Sequence, residues 1–180
     1  MALMTYAQAA ALAVEHDMDA DANVVVIGED VGRGGIFGQY AGLQARFGEQ
    51  RVIDTPISEA AILGAGVGMA LAGLRPIVEM RVVDFALCGM DEIVNQAAKN
   101  RFMFGGQGRV PMVVRMPIGI WDSSAAQHSQ SFESWFAHLP TCPVWWCCAP
   151  PRHKTTIPCC VRRWPVATRW STWSTKRFGV

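Results

Sequence analysis

Val24-Val25-Val26-Ile27 is an unbroken apolar run of strand length, closed on its carboxyl side by Gly28-Glu29-Asp30. A run without polar alternation suits a strand covered on both faces, which is the environment of a parallel strand in an α/β sheet. A parallel neighbour requires a crossover connection, usually a helix. The rest of the chain supplies both parts. Arg51-Val52-Ile53-Asp54, Ile77-Val78-Glu79-Met80 and Val110-Pro111-Met112-Val113-Val114-Arg115 read as further strands. Helical composition fills the intervals: Thr5 to Glu15, Gly42 to Phe47, the glycine-rich stretch after Ser58, Asp84 to Phe104, and Gln130 to Leu139. Ile93, Ala97 and Arg101 fall at helical spacing in the fourth of these. The alternation predicts a doubly wound, mostly parallel α/β sheet. At 180 residues the chain is long enough for one such domain with a substantial core.

Ligands of such sheets sit beyond the carboxyl ends of the strands. Glu29, Glu59 and Phe85 each follow a strand closely enough to reach that edge together. The segment Asp54-Thr55-Pro56-Ile57-Ser58-Glu59 is the most pointed of the three. Pro56 biases Thr55 toward an extended conformation. Ser58 is placed to accept a hydrogen bond from the first free N–H groups of the following helix. Glu59 then occupies the first turn, where the helix dipole favours negative charge. Gly64, Gly66 and Gly68 follow on alternate positions, each costing about 1 kcal/mol relative to alanine in a helix interior. That cost implies a close approach to this helix. A carboxylate beside such a surface is a candidate for holding a flat, nitrogen-bearing ligand; an ordinary capped core helix is the alternative.

Several chemistries are disfavoured. Gly64-Ala65-Gly66-Val67-Gly68 has the wrong spacing for a dinucleotide fingerprint and lies within a helix, and no phosphate-binding Gly-x-x-x-x-Gly-Lys run occurs. His128 and His138 lack a third ligand at zinc spacing, so no metal site is expected. Ser129 beside His128 does not make a nucleophile–base pair by adjacency alone. His128 itself reads either as a hydrogen-bonded structural histidine or as an acid/base group. Met1 to Glu15 lacks a secretory pattern. Ala60–Leu74 falls short of the roughly 20 apolar residues that span a bilayer. Both point to a cytoplasmic chain.

Four ordered segments go beyond generic α/β signals: Val26-Ile27-Gly28-Glu29-Asp30-Val31-Gly32, Asp54-Thr55-Pro56-Ile57-Ser58-Glu59, Gly73-Leu74-Arg75-Pro76-Ile77-Val78-Glu79, and Gln127-His128-Ser129-Gln130-Ser131. Asn95-Gln96-Ala97-Ala98-Lys99 and Gly105-Gly106-Gln107 lie between them in order. Over residues 3–140 the chain strongly resembles the beta subunit of the thiamine-diphosphate-dependent 2-oxo acid dehydrogenases, whose members include pyruvate, branched-chain and acetoin-type enzymes. The resemblance implies a transketolase-like pyrimidine-binding domain over residues 1–140. It implies that Glu59 hydrogen-bonds the aminopyrimidine of thiamine diphosphate, with Phe85 packing on that ring and Ile57 and Glu29 as neighbouring contacts. It implies that His128 assists proton or acyl transfer near the reacting carbon. In the family the diphosphate and Mg²⁺ belong to a separate alpha subunit with a Gly-Asp-Gly motif, and no Gly-Asp-Gly occurs here. The implied partners are that alpha subunit, in a heterotetramer, and a lipoyl-bearing acyltransferase core, with no nucleic acid or membrane. The glycine-studded helix would then pack against a partner subunit.

The likeness stops near Pro140, and composition changes with it. Residues 1–140 hold all 15 acidic groups and nine basic ones, whereas residues 141–180 hold seven basic groups and no acid. Five of the six cysteines and five of the seven tryptophans lie in the tail. Zinc spacing is absent there, and adjacent Cys-Cys pairs make a poor disulfide framework in the cytosol. A shifted reading frame accounts for the composition: Trp145-Trp146-Cys147-Cys148 read from third bases gives valine, valine and leucine with no codon choice. Continued through 180, the shift permits a strand, turn, helix and strand that the family would have. On this reading the pyrimidine domain is incomplete, the family's potassium-ion loop and C-terminal domain are absent, and the exposed apolar edge predicts aggregation. Two other readings are a non-catalytic interaction protein with a basic Trp/Cys tail, and another transketolase-type enzyme such as a deoxyxylulose-phosphate synthase.

Overall fold

The computed structural model describes residues 6–118 and 123–139. Tail residues 141–180, and with them the frame-shift reading, lie outside the described residues. Helix α1 (Tyr6–Ala20) leads into β1 (Val24–Glu29), α2 (Leu43–Phe47), β2 (Val52–Thr55), α3 (Glu59–Leu71) and β3 (Arg75–Glu79). An irregular helical stretch and α4 (Asn100–Met103) precede β4 (Val113–Arg115), and α5 (Glu133–Ala137) closes the described part. The four strands form one parallel sheet in the order β2-β1-β3-β4. The strand order reverses between β1 and β3, the place where open α/β sheets bind ligands at the carboxyl edge.

Period-two alternation assigns the strand residues to two cores. Val24, Val26, Val52 and Ile77 face α1, Tyr40 and Leu43. Ile27 and Val78 face α3 (Ile62, Leu63, Val67), the stretch after β3 (Val83, Ala86, Ile93), and Phe132 and Phe136. The sheet is therefore covered on both sides, which is why β1 reads as a continuous apolar run. Arg51 fastens the amino end of the sheet: it donates to the carbonyls of Met18, Asp21 and Val24 at 2.8–2.9 Å, including one orphaned at the end of α1.

Helix α3 ends in a Schellman arrangement. The Gly73 N–H donates to the Ala70 carbonyl and the Leu74 N–H to the Met69 carbonyl. Gly73 takes φ +98°, a backbone that glycine adopts without a Cβ penalty. At the other end the expected Ser58 side-chain cap is not made. The Ser58 carbonyl accepts the first helical bond, from Ile62 at 2.9 Å, and the hydroxyl is left to solvent. The three alternate glycines also divide. A Cβ at Gly66 would lie 2.5 Å from Val78 Cγ2, so this glycine serves packing on the chain's own sheet. Nothing lies within 4 Å of a Cβ at Gly68, and Gly64 would meet Glu92 at ordinary contact distance.

The helix expected from Asp84 to Phe104 is not one regular α-helix. Val83–Gly89 is 3-10, Met90 and Asp91 are α-helical, Glu92–Ala97 is π, and α-helical geometry returns at Asn100–Met103. Val83, Ala86 and Gly89 are buried at intervals of three, the 3-10 period. Gly89 presses on α3, where a Cβ would stand 2.4 Å from Leu63 Cδ1 and 3.4 Å from the Glu59 carbonyl oxygen. The widened turn then lets Ala98 donate to Ile93 five residues back. Helix α5 is shorter than the expected Gln130 to Leu139, and β4 starts later than Val110, beyond Pro111, which has no N–H for a ladder. Among the described residues no helix is long and apolar enough to cross a membrane.

Candidate functional site

Glu29 is the last residue of β1, Glu59 opens α3 just after β2, and Phe85 lies in the 3-10 stretch after β3. Topology thus delivers three candidates to one edge from three successive strand ends. Glu29 and Thr55 are register partners across β1 and β2, so the loop that carries Ile57 and Glu59 leaves the sheet beside Glu29. Register also decides direction. Ile27 points to the α3 face, and Glu29, two residues on, follows it there.

Glu29 is only 7% exposed, and its side chain makes no hydrogen bond with any described residue. Its one polar contact is the Arg81 guanidinium, with Nη1 3.9 Å from Oε2. The same nitrogen lies 3.8 Å from Asp30 Oδ2. Burial pushes the Glu29 carboxyl above its ordinary value of 4.5; the charge of Glu59 adds to the rise, Arg81 opposes it and Asp30 adds a little. Glu29 and Glu59 are therefore close enough to feel one another's charge.

His128 ends a single 3-10 turn, Ala126–His128. Its imidazole meets the Phe85 ring edge-on, with centroids 5.1 Å apart and planes at 72°. Nδ1 lies 2.9 Å from the Gln127 carbonyl oxygen. A carbonyl only accepts, so the neutral ring carries its proton on Nδ1 and Nε2 is its basic nitrogen. The turn is tied to the sheet by Asp84, whose Oδ1 accepts from Gln130 Nε2 at 2.8 Å and from the Gln130 N–H at 3.3 Å. Ala125, just before the turn, holds φ +60°, a strained backbone for a residue with a Cβ.

The remaining candidate, Ile57, is 75% exposed. It shares a loop with Glu59, but no ring or charge of the group is recorded against it. The structure thus brings Glu29 toward Glu59, and Phe85 onto His128; the 3-10 stretch joins the two pairs, since Gly89 abuts the Glu59 turn. Sequence reasoning missed Arg81, Asp84 and Gln130. Arg81 carried a usable signal, being a lone cation directly after an apolar strand, at the ligand-binding edge. Asp84 and Gln130 are 46 residues apart, and nothing local pairs them. Among the described residues no group of three or more His, Cys, Asp or Glu is placed to hold a metal ion.

The family model for the transketolase pyrimidine-binding domain matches residues 2–171. Curated relatives agree with it. The 2-oxoisovalerate dehydrogenase subunit beta of Bacillus subtilis (strain 168) is 46% identical over 141 residues, covering 78% of this chain and 43% of the relative. The pyruvate dehydrogenase E1 component subunit beta of Rhizobium meliloti (strain 1021) is 45% identical over 141 residues, covering 78% and 31%. The beta subunit of the acetoin:2,6-dichlorophenolindophenol oxidoreductase of Cupriavidus necator is 41% identical over 139 residues, covering 71% and 41%. The chain spans less than half the length of these relatives.

Proposed function

Because the chain belongs to the family of transketolase pyrimidine-binding domains, we propose that it is beta-subunit sequence of a thiamine-diphosphate-dependent 2-oxo acid dehydrogenase. The reaction would be oxidative decarboxylation of pyruvate or a related 2-oxo acid, with acyl transfer to lipoyl groups. An alpha subunit would bring the diphosphate and Mg²⁺, and a lipoyl-bearing acyltransferase would receive the acyl group, in the cytoplasm. The single observation that carries the reading is the buried, hydrogen-bond-free Glu29 beside Glu59 at the reversal of strand order.

The residues fit the aminopyrimidine end of the cofactor. Ile57, two residues before Glu59, leaves an apolar side chain uncovered, and the Thr55 hydroxyl at the same strand end is buried without a partner. A flat ring with apolar faces and nitrogen at its edge needs that combination. Glu59, Glu29, Ile57 and Phe85 would hold it. When bound, the cofactor supplies a nucleophilic carbon and an electron sink for decarboxylation. Glu59 would accept a hydrogen bond at its carboxylate and hold or release a proton there. His128 would take or return a proton at Nε2, its ring steadied by Phe85 and by the Asp84–Gln130 tie.

The test is Glu59→Gln in the chain assembled with an alpha subunit, with carbon dioxide release from pyruvate and branched-chain 2-oxo acids as the readout. Release should fall at least ~100-fold, the usual scale for removing a positioned acid–base group. Undiminished turnover would overturn the assignment. We further propose that residues 1–140 are the domain proper and that 141–180 are read off frame. Sequencing the DNA across the codons for Leu139–Cys142 decides that point.

A further inference from the structure

We propose that Arg81 is a positioning residue for the acid pair: its guanidinium holds the Glu29 carboxylate in the ionised form at the edge that receives the ring. The inference rests on the function proposed above, but its geometry stands without the cofactor. The groups facing Glu29 come from three elements. Glu59 arrives from the first turn of α3, Asp30 from the exit of β1, and Arg81 from the residues after β3. Three acids and one cation share this edge.

A carboxylate in a largely buried residue, without a hydrogen bond and beside a second acid, binds its proton more tightly unless a positive charge opposes that. Arg81 is the available charge. Its Nη1 stands between Glu29 Oε2 and Asp30 Oδ2 at 3.9 and 3.8 Å, inside ion-pair range and outside hydrogen-bond range. The guanidinium therefore acts on Glu29 as a charge and clamps neither oxygen. It makes no hydrogen bond with any described residue, and its side chain is partly in water, so it contributes little to the fold. Glu29 ionised and Glu29 protonated present different partners to Glu59. The first sets a second negative charge beside it; the second removes that charge and offers an O–H donor instead. By fixing which form prevails, Arg81 decides which partner stands beside the acid that meets the ring.

The experiment follows the Glu29 carboxyl by ¹³C NMR through a pH titration of the full 180-residue chain, the signal being assigned by its loss in Glu29→Gln. Arg81→Gln should move the Glu29 midpoint upward, Arg81→Lys should restore most of the change, and Asp30→Asn should move it downward. The upward move should shrink in 1 M salt, where the Debye length falls to about 3 Å. Urea midpoints of the Arg81 variants should match the parent chain below pH 4.5, where Glu29 is protonated folded and unfolded, and fall below it as pH rises; a packing effect would lower them at every pH. Superimposable titrations for the parent and Arg81→Gln, or equal shifts from Gln and Lys, would overturn the proposal. Because the titration is read without cofactor, its failure leaves the Glu59→Gln experiment untouched, and a failed Glu59→Gln experiment does not alter the titration.

Discussion

Glu29 and Glu79 end neighbouring strands of one sheet and are both buried residues, yet their carboxylates have opposite surroundings. Glu79 is 2% exposed and projects to the face covered by α1 and α2. There Arg115 Nη1 donates to both of its oxygens at 2.7 and 2.9 Å, Tyr40 Oη donates at 2.7 Å and Gln39 Nε2 at 3.2 Å. Burial still pushes the Glu79 carboxyl up, against the pull of Arg115, Tyr40 and Gln39. Glu29 points to the other face, where α3 and the 3-10 stretch leave the edge open, and has only the distant charge of Arg81. A saturated buried acid closes one side of the sheet by stitching the loop through Gln39 and Tyr40 onto β3 and β4. An unsaturated one, kept beside Glu59, is organised for something that is not part of the chain.

The largest expected effect falls on the closed side. Glu79→Ala removes the carboxylate to which Arg115, Tyr40 and Gln39 all donate, so urea denaturation should show a loss of about 3 kcal/mol. A loss below ~1 kcal/mol would erase the distinction between the two acids. Next comes the tie beneath the histidine turn. Asp84→Ala removes both bonds from Gln130 and should cost about 1–2 kcal/mol. It should also move the His128 ring resonances in NMR as the ring leaves the edge of Phe85. Unmoved resonances would mean that the tie does not position His128.

How much of this was readable beforehand follows from whether the cause was local. Short apolar segments bounded by glycine, proline or charge revealed all four strands, while the faces they share came only with the fold. Glu59 was placed in a first helical turn by Pro56 and Ser58, and there it stands, although Ser58 contributes its carbonyl and not its hydroxyl. The stretch after β3 read as an ordinary helix because 3-10 and π geometry leave no composition of their own; tight contact with α3 at Gly89 imposes them. The closed-side network was invisible for a similar reason. Gln39, Tyr40 and Arg115 lie 36–40 residues from Glu79, and only the fold makes them neighbours. In sequence Glu79 looked like one polar residue in an apolar strand, much as Glu29 did.

The smallest effect is the most diagnostic. Glu29→Gln removes a buried charge that has no hydrogen bond to lose, so stability at pH 7 should hold or rise by up to ~1 kcal/mol. The dependence on pH carries the sign. The folded chain binds the Glu29 proton more tightly than the unfolded one, whose value is near 4.5. The stabilisation from that proton is fully present below 4.5 and is lost as pH rises through the raised folded value. The stability of the parent chain relative to Glu29→Gln should therefore decline with rising pH from about 4.5 and level off once Glu29 is ionised in both states. Urea midpoints of the two proteins, compared across that interval, give the result directly. A difference that grows with pH would mean that Glu29 is stabilised as an ion by partners in the fold, and its reading as an acid without a hydrogen-bonded partner would fail.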